Sequence, residues 1–394
     1  MKGKAIIRIV EVLSGGPSEK AGLLAGDRIV EIDDSVFVGD VVNNQSVFNK
    51  LRGKKGSTVK LGIKRATSPK LIYFDLVRGD IPVNSIDASY MVDKQIGYVK
   101  VNKFTRTTYN EFLTALVKIK NEGAEKYIID LRGNGGGYME MAILMANEFL
   151  PENSLIVYTQ GRDKKNDQQF WSDGNGSFQD HEVVVLIDEY SASASEIFAG
   201  ALQDNDRGLI VGRRSFGKGL VQKQFELSDS SAVRMTISRY YTPSGRCIQK
   251  PYDKDYAMDI YERYAHGEMM SADSMKVDTT DVYYTVRGRR VYGGGGIIPD
   301  VFVPIDTTKA TDFYIKANRK ATAMRFASSM FDKYKTELSD IDDFDRLSSW
   351  LDSIGLEKQF LEYAAKTDGI KPSDGEWEKT RVYMLPQLKA LTGR

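Results

Sequence analysis

The chain has a single cysteine, Cys247, and only two histidines, His181 and His266, in 394 residues. One cysteine cannot close an intramolecular disulfide or assemble a thiolate metal site. With so few histidines, a Ser-His-Asp arrangement would need His181 or His266 beside both a serine and a carboxylate. His181 precedes an apolar strand rather than following one, and His266 lies in a segment rich in Tyr, Met and charge. Long apolar runs are absent too: hydrophobic stretches are short and broken by charge, and none reaches the roughly 20 residues that a membrane-spanning helix needs. Neither sign of charge is in excess, since 55 Lys and Arg face 54 Asp and Glu, and a nucleic-acid binder would carry a basic surplus. The opening MKGKAIIRIVEV lacks the apolar core and small-residue cleavage site of a secretory leader and reads directly as an alternating strand.

What is present suits a globular enzyme of more than one domain, with 41% hydrophobic and 28% charged residues. Residues 1–80 read as a β-rich module: AIIRIVEV, DRIVEID, STVKLGIKR and LIYFDLVR as strands, with a helical stretch near Gln45–Leu51. The segment GGPSEKAGLLAGDRIVEID resembles the middle of a PDZ domain, a module that adds an extended peptide to a sheet edge as an extra strand. Measured against that pattern, the chain opens at the second strand, so the first strand and the glycine-rich loop that receives a terminal carboxylate are expected to be missing.

Residues 81–306 alternate between strand and helix, the rhythm of an α/β sheet built from βαβ units. IGYVKV, a helix over Tyr109–Asn121, KYIIDL, a helix from Tyr138 to Leu150, SLIVYT, EVVVLID, a helix after Ser195 and GLIVG follow one another. The polar stretch Gln160–His181 reads as a surface loop. Residues 253–281 look like an insertion, YGGGGIIPDVFVP returns the chain to the sheet, and residues 307–394 form an amphipathic helical region.

Three segments at strand ends carry chemistry. SASASEI follows VVVLID, and its small residues permit a sharp strand-to-helix turn on which a serine is exposed and helix-start N–H groups can stabilise an oxyanion. Serine is also a favoured helix cap, so this segment alone leaves capping and catalysis both open. SFGKGLVQ sets Lys218 between two glycines. Close backbone approach there shields an amine from water and favours its neutral, basic form. Gln222, four residues on, shares the face of Lys218 in a continuous strand. The phosphate-loop pattern fails because Gly219 follows the lysine. DLRGNGGGY offers N–H groups from Gly135, Gly136 and Gly137 for an anion nest, or simply a flexible turn. Asp130 and Arg132 are expected to pair and support it.

In this order, DLRGNGGG, SASASEI and SFGKGLVQ resemble the signature of the carboxy-terminal processing (tail-specific) serine proteases, with RYYTPSGRCIQ and GGIIPD extending the likeness over residues 5–306. The resemblance implies Ser193 as nucleophile, Lys218, 25 residues later, as general base, and Gln222 as its orienting partner. It implies an oxyanion hole made by the Ala194 N–H and a glycine of the 135–136 pair. Gly136 is preferred over Gly135, whose counterpart is proline in some relatives. It further implies a crotonase-like α/β core behind an N-terminal PDZ-like domain, no cofactor or metal, a protein or peptide substrate with an unstructured apolar tail, and an extracytoplasmic, periplasmic location. The helical C-terminal region is expected to cap the fold or mediate homo-oligomer formation. Two other classes share parts of this pattern: a crotonase-like acyl-CoA enzyme, which has no use for the Ser193, Lys218 and Gln222 set, and a non-catalytic PDZ-type peptide-binding scaffold, which would not be acylated by serine-directed probes.

Overall fold

The computed structural model describes residues 5–65, 68–252, 256, 258–308 and 311–393. Their contacts divide the chain into two compact units, one made of Met1–Val83 with Asp306–Arg394 and the other of Asn84–Ile305.

In the first unit, β1 (Ile7–Arg8), β2 (Arg28–Ile32), β3 (Ser35–Val36), β4 (Thr58–Lys64) and β5 (Ile72–Val77) form one antiparallel sheet. The first strand is shorter than AIIRIVEV suggests. Alternation brings Ile29, Ile32, Val59, Leu61 and Ile63 inward, where they pack with Leu23 and Phe37. A short helix α1 (Pro17–Lys20) precedes β2, and α2 (Asn44–Leu51) lies between β3 and β4. The Asn43 side chain caps α2 on the Ser46 N–H, and Ser46 Oγ returns a bond from the Asn43 N–H.

The second unit holds the α/β core. Strands β6 (Ile86–Met91), β7 (Ile96–Val101), β8 (Lys126–Asp130), β11 (Glu182–Ile187), β12 (Leu209–Gly212) and β17 (Val301–Phe302) make a six-stranded sheet in the order β17-β12-β11-β8-β7-β6. All neighbours are parallel except β6, which runs antiparallel to β7. Parallel strands covered on both faces read as unbroken apolar runs, which accounts for VVVLI in β11. Helices α3 (Thr108–Asn121), α4 (Met139–Asn147) and α5 (Ala194–Asp204) supply Phe112, Leu116, Met145, Phe198 and Leu202 to this core.

A second sheet, in the order β10-β9-β14-β13, is antiparallel: β9 (Leu155–Gly161), β10 (Gln168–Trp171), β13 (Leu220–Glu226) and β14 (Ala232–Tyr241). Here the structure departs from the loop expected over Gln160–His181. The chain turns back after Gly161, and β10 pairs with β9 from Gln168↔Thr159 to Trp171↔Leu155, with Phe170 packed on the core. The strand is four residues long with three polar or exposed positions, too little apolar alternation to be read from sequence. Within the insertion, residues 253–255 and 257 lie outside the described residues. Helix α6 (Asp259–Ala265) follows them, before the hairpin β15 (Val282–Tyr284) and β16 (Arg290–Tyr292).

Helices α7 (Asp312–Arg319), α8 (Thr322–Lys333), α9 (Lys335–Ser339), α10 (Phe344–Ser353), α11 (Leu356–Tyr363) and α12 (Glu376–Gly393) complete the first unit. Their own core gathers Phe313, Phe326, Leu351, Phe360, Trp377 and Met384. Arg28 of β2 pairs with Asp332 of α8, and the Phe331 ring covers Gly26, so this helical region packs with the PDZ-like sheet.

One buried ion pair anchors the end of α5. Asp204 and Arg246 are both fully buried and meet at 2.7 Å, and Arg246 also donates to Gln203 Oε1 at 2.7 Å and to the Tyr292 carbonyl at 3.1 Å. Removing one partner leaves the other charge uncompensated in low dielectric. Asp204→Ala is therefore expected to lower unfolding free energy by about 3 kcal/mol or more, read as a lower urea midpoint at unchanged slope.

Candidate active site

The loops that leave the carboxyl ends of β7, β8 and β11 converge, as loops do at the carboxyl edge of an open α/β sheet. Asn134 is the knot. Its carbonyl accepts from the Ala192 N–H at 3.0 Å and from Ser195 Oγ at 2.8 Å, while its buried Nδ2 donates to the Val101 carbonyl at 2.9 Å. Gly133 N–H donates to Asp188 Oδ1 at 2.9 Å, and Ser191 Oγ to the Leu131 carbonyl at 2.8 Å. Ser191 and Ser195 are both completely buried and spent on these bonds. Of the three serines in SASAS, only Ser193 is partly exposed.

Ser193 has φ 57° and ψ −113°, and α5 begins at the next residue. A non-glycine residue in this region costs on the order of 1–3 kcal/mol, and such a turn pushes the side chain out of the strand-to-helix junction. The strain is held by neighbours. Gly136, at φ 93°, lies so close that a Cβ there would sit 2.5 Å from the Ala192 carbonyl oxygen, 2.8 Å from Ser193 Cβ and 2.9 Å from the Ala194 nitrogen. Among the described residues the Ala194 N–H has no acceptor, and neither has the exposed Gly135 N–H. The Gly136 N–H, by contrast, donates to Asn134 Oδ1 at 2.9 Å.

Glu196, three residues after Ser193, is completely buried. Oε2 accepts from the Ser193 N–H at 2.8 Å and the Lys218 N–H at 2.9 Å, and Oε1 from the Gly217 N–H at 2.7 Å and from Ser215 Oγ. One carboxylate thus holds the serine and the lysine segments together. Burial pushes the Glu196 carboxyl up from its ordinary value, against these four donors, which favour the ionised form. A second tie is the Tyr240 hydroxyl. It donates to the Lys218 carbonyl at 2.6 Å and lies 3.0 Å from that of Ser193. Burial drives the Tyr240 phenol well up, so it stays a donor.

Lys218 leaves this junction at the mouth of β13, with Gly217 pressed against Gly296 and Gly219 against Gln249. The side chain is half-buried and lines a cavity of about 750 Å³ together with Gln222. Lys218 Nζ and Ser193 Oγ make no side-chain hydrogen bond among the described residues. The insertion grips the approach to Lys218: Arg263 of α6 donates to the carbonyls of Ser215 at 3.1 Å and Arg214 at 2.6 Å, and buried Glu268 accepts from both arginines. The histidines are elsewhere. His181 Nδ1 faces the Glu125 carbonyl at 3.1 Å, and His266 Nδ1 that of Glu262 at 2.8 Å.

Residues 95–258 match the model of peptidase family S41, and residues 2–76 that of a PDZ domain. The match to peptidase family S41 lies within the α/β core and reaches the start of the insertion. The chain is 39% identical over 249 residues to a carboxy-terminal-processing protease of Bartonella bacilliformis, covering 62% of this chain and 56% of that protein. The carboxy-terminal processing protease CtpB of Bacillus subtilis is 32% identical over 279 residues, covering 70% of this chain and 57% of the relative. The chain thus spans a little over half the length of these relatives. A solved structure, the photosystem II D1 C-terminal processing protease, aligns at 27% identity over 76% of this chain and 68% of that one, with a TM-score of 0.41.

The sequence motifs single out Ser193, Lys218 and Gln222 as candidates but give no prominence to Glu196, Tyr240 and Asn134, which the structure places at the same junction. Glu196 had a local signal, since Ser-x-x-Glu ahead of an apolar run is a capping-box pattern. Nothing local marks Tyr240, which is 47 residues from Ser193. The Asp130–Arg132 pair forms at 2.7 Å beneath the glycine loop.

Gly136→Ala is expected to cut turnover on the order of a hundredfold, because its Cβ cannot be accommodated without moving Ser193 or Ala194, and overpacking of this kind costs about 1–3 kcal/mol. Steady-state kinetics beside thermal unfolding separate the two losses. A pH test follows from Asp130: burial would raise its carboxyl, but hydrogen bonds from Arg132 and Tyr98 outweigh it and hold it below its ordinary value. The stability this adds is present above the unfolded-state value of about 3.9 and is lost as pH falls through the lower folded value. The urea-stability difference between wild type and Asp130→Asn should therefore shrink below about pH 4.

Proposed function

We propose that this chain carries the catalytic part of a serine endopeptidase that cuts proteins near their C-terminal tails, with Ser193 as nucleophile, Lys218 as general base and Gln222 orienting the amine. The observation that carries the reading is the shared Glu196 carboxylate, which accepts from the backbone N–H of both Ser193 and Lys218. It supports a serine and a lysine held in fixed relation on one buried group. The strained backbone of Ser193 and the unpartnered Ala194 N–H beside it add to that support.

In this mechanism an extended substrate presents its scissile carbonyl to Ser193. Neutral Lys218 takes the hydroxyl proton as Oγ attacks, and charge develops on the carbonyl oxygen next to the Ala194 N–H. A second donor comes from the glycine loop. Gly136 fills that role when its N–H turns away from Asn134 Oδ1, whereas the Gly135 N–H is already free. Lys218 then protonates the leaving amine, and a water, deprotonated by the same lysine, releases the acyl group. The PDZ-like module is suited to hold the substrate by strand addition. By family likeness the substrate tail is apolar and unstructured and the location extracytoplasmic.

Ser193→Ala and Lys218→Ala should each reduce kcat/KM by on the order of 10³-fold or more, and the double change little further, because members of one catalytic unit act non-additively. A fluorophosphonate probe should label wild type and not Ser193→Ala. Turnover near the wild-type value in Ser193→Ala would reject the assignment.

A further inference from the structure

The cavity beside Lys218 has a chemical character of its own. Arg162 and Arg239 line it along with Lys218, and among the described residues no Asp or Glu does. Neither guanidinium has a hydrogen-bond or ion-pair partner among the described residues, although most of the other arginines of this unit are paired or bonded. Strand register explains why they gather there. Leu220, two residues past Lys218, pairs with Arg239, and Arg239 pairs in turn with Gln160 of β9. Directly opposed residues share a face of a sheet, so Leu220, Arg239 and Gln160 point the same way, and Lys218 and Arg162, each just outside its strand, line the same cavity. At about 3.3 Å per residue along a strand and 4.8 Å between strands, the Arg239 Cα lies about 8 Å from that of Lys218. That is the span of two or three residues of an extended peptide. The Tyr252 and Tyr256 rings, 4.8 Å apart, wall the cavity and add an apolar surface.

We propose that Arg162 and Arg239 bind a carboxylate of the substrate two to three residues from the scissile bond. The proposal rests on the peptidase reading above and assigns part of its substrate class: peptides with an acid close to the cut. That acid is either the chain's own C-terminal carboxylate, in which case very short fragments are released, or an Asp or Glu side chain. Two unpaired guanidiniums facing one cavity suit a carboxylate because each offers a planar fork of donors that matches the two oxygens. The arginines are specificity-determining groups and do not touch the reacting atoms.

The test measures kcat/KM on two matched peptide pairs that share one cleavage sequence. One pair ends in a free acid or an amide two to three residues beyond the cut; the other, amidated in both members, carries Glu or Gln at that distance. Wild type should prefer the acidic member of at least one pair on the order of tenfold, the size of a charge-assisted hydrogen bond or two. The pair that responds identifies the source of the carboxylate. In the Arg162→Gln, Arg239→Gln double variant the preference should fall to about one, and Arg239→Lys should keep part of it, since a lysine retains the charge but loses the fork. A ratio near one for both pairs in wild type overturns the proposal, as does a preference that survives in the double variant, which would mean that the carboxylate is read elsewhere, for example by the PDZ-like module. Cleavage of neither pair, with no fluorophosphonate labelling of Ser193, would instead reject the peptidase reading and this proposal with it.

Discussion

The Glu196 carboxylate sits where the strand-to-helix turn of β11 and α5 meets the loop before β13, and among the described residues it is the only charged group that accepts from both. Burying an ion costs several kcal/mol unless its lone pairs are satisfied, and here four donors face two oxygens. One donor comes from Ser193 and three from Ser215 to Lys218, the two segments that the proposed mechanism needs side by side. The cost of burial makes the arrangement specific, because moving either segment would leave the carboxylate short of donors. Tyr240 repeats the link from the other side with a hydroxyl between the two carbonyls.

Around this junction the core works as a set of nested clamps. Asn134 ties the glycine loop to the SASAS turn, so the strained Ser193 backbone is enclosed by bonds it does not itself make. Arg263 and Glu268 tie the insertion to the Arg214–Ser215 turn, which gives that segment a structural task next to Lys218. The Lys218 and Gln222 side chains stay on the open side, in a cavity whose remaining charges among the described residues are arginines.

Much of the fold was legible. Period-two alternation and unbroken apolar runs marked the sheet strands of both units, and glycine and serine punctuation marked the loops at their ends. The strand β10 was not legible, because its pairing with β9 rather than its own pattern makes it a strand. Strand β6 was passed over for a similar reason, since IDASYM is half polar and pairs on one side only. At the site, spacing and family likeness single out Ser193, Lys218 and Gln222 as candidates, and the structure ties the backbone of the first two to one carboxylate. The expectation of Gly136 as the preferred oxyanion donor could not foresee the bond that turns its N–H to Asn134 Oδ1.

What the sequence determined by itself is local: which residues are small enough for a sharp turn, which alternate onto one face, and how far the serine stands from the lysine along the chain. Tertiary structure alone decided the partners. Residues 134, 193, 215 to 218 and 240 meet only after a parallel sheet has brought distant strand ends to one edge, and that closure is a property of the whole sheet. For the same reason Arg162 and Arg239, ordinary surface charges in the sequence, come to line one cavity with Lys218, since Arg239 pairs with Gln160 at the end of β9.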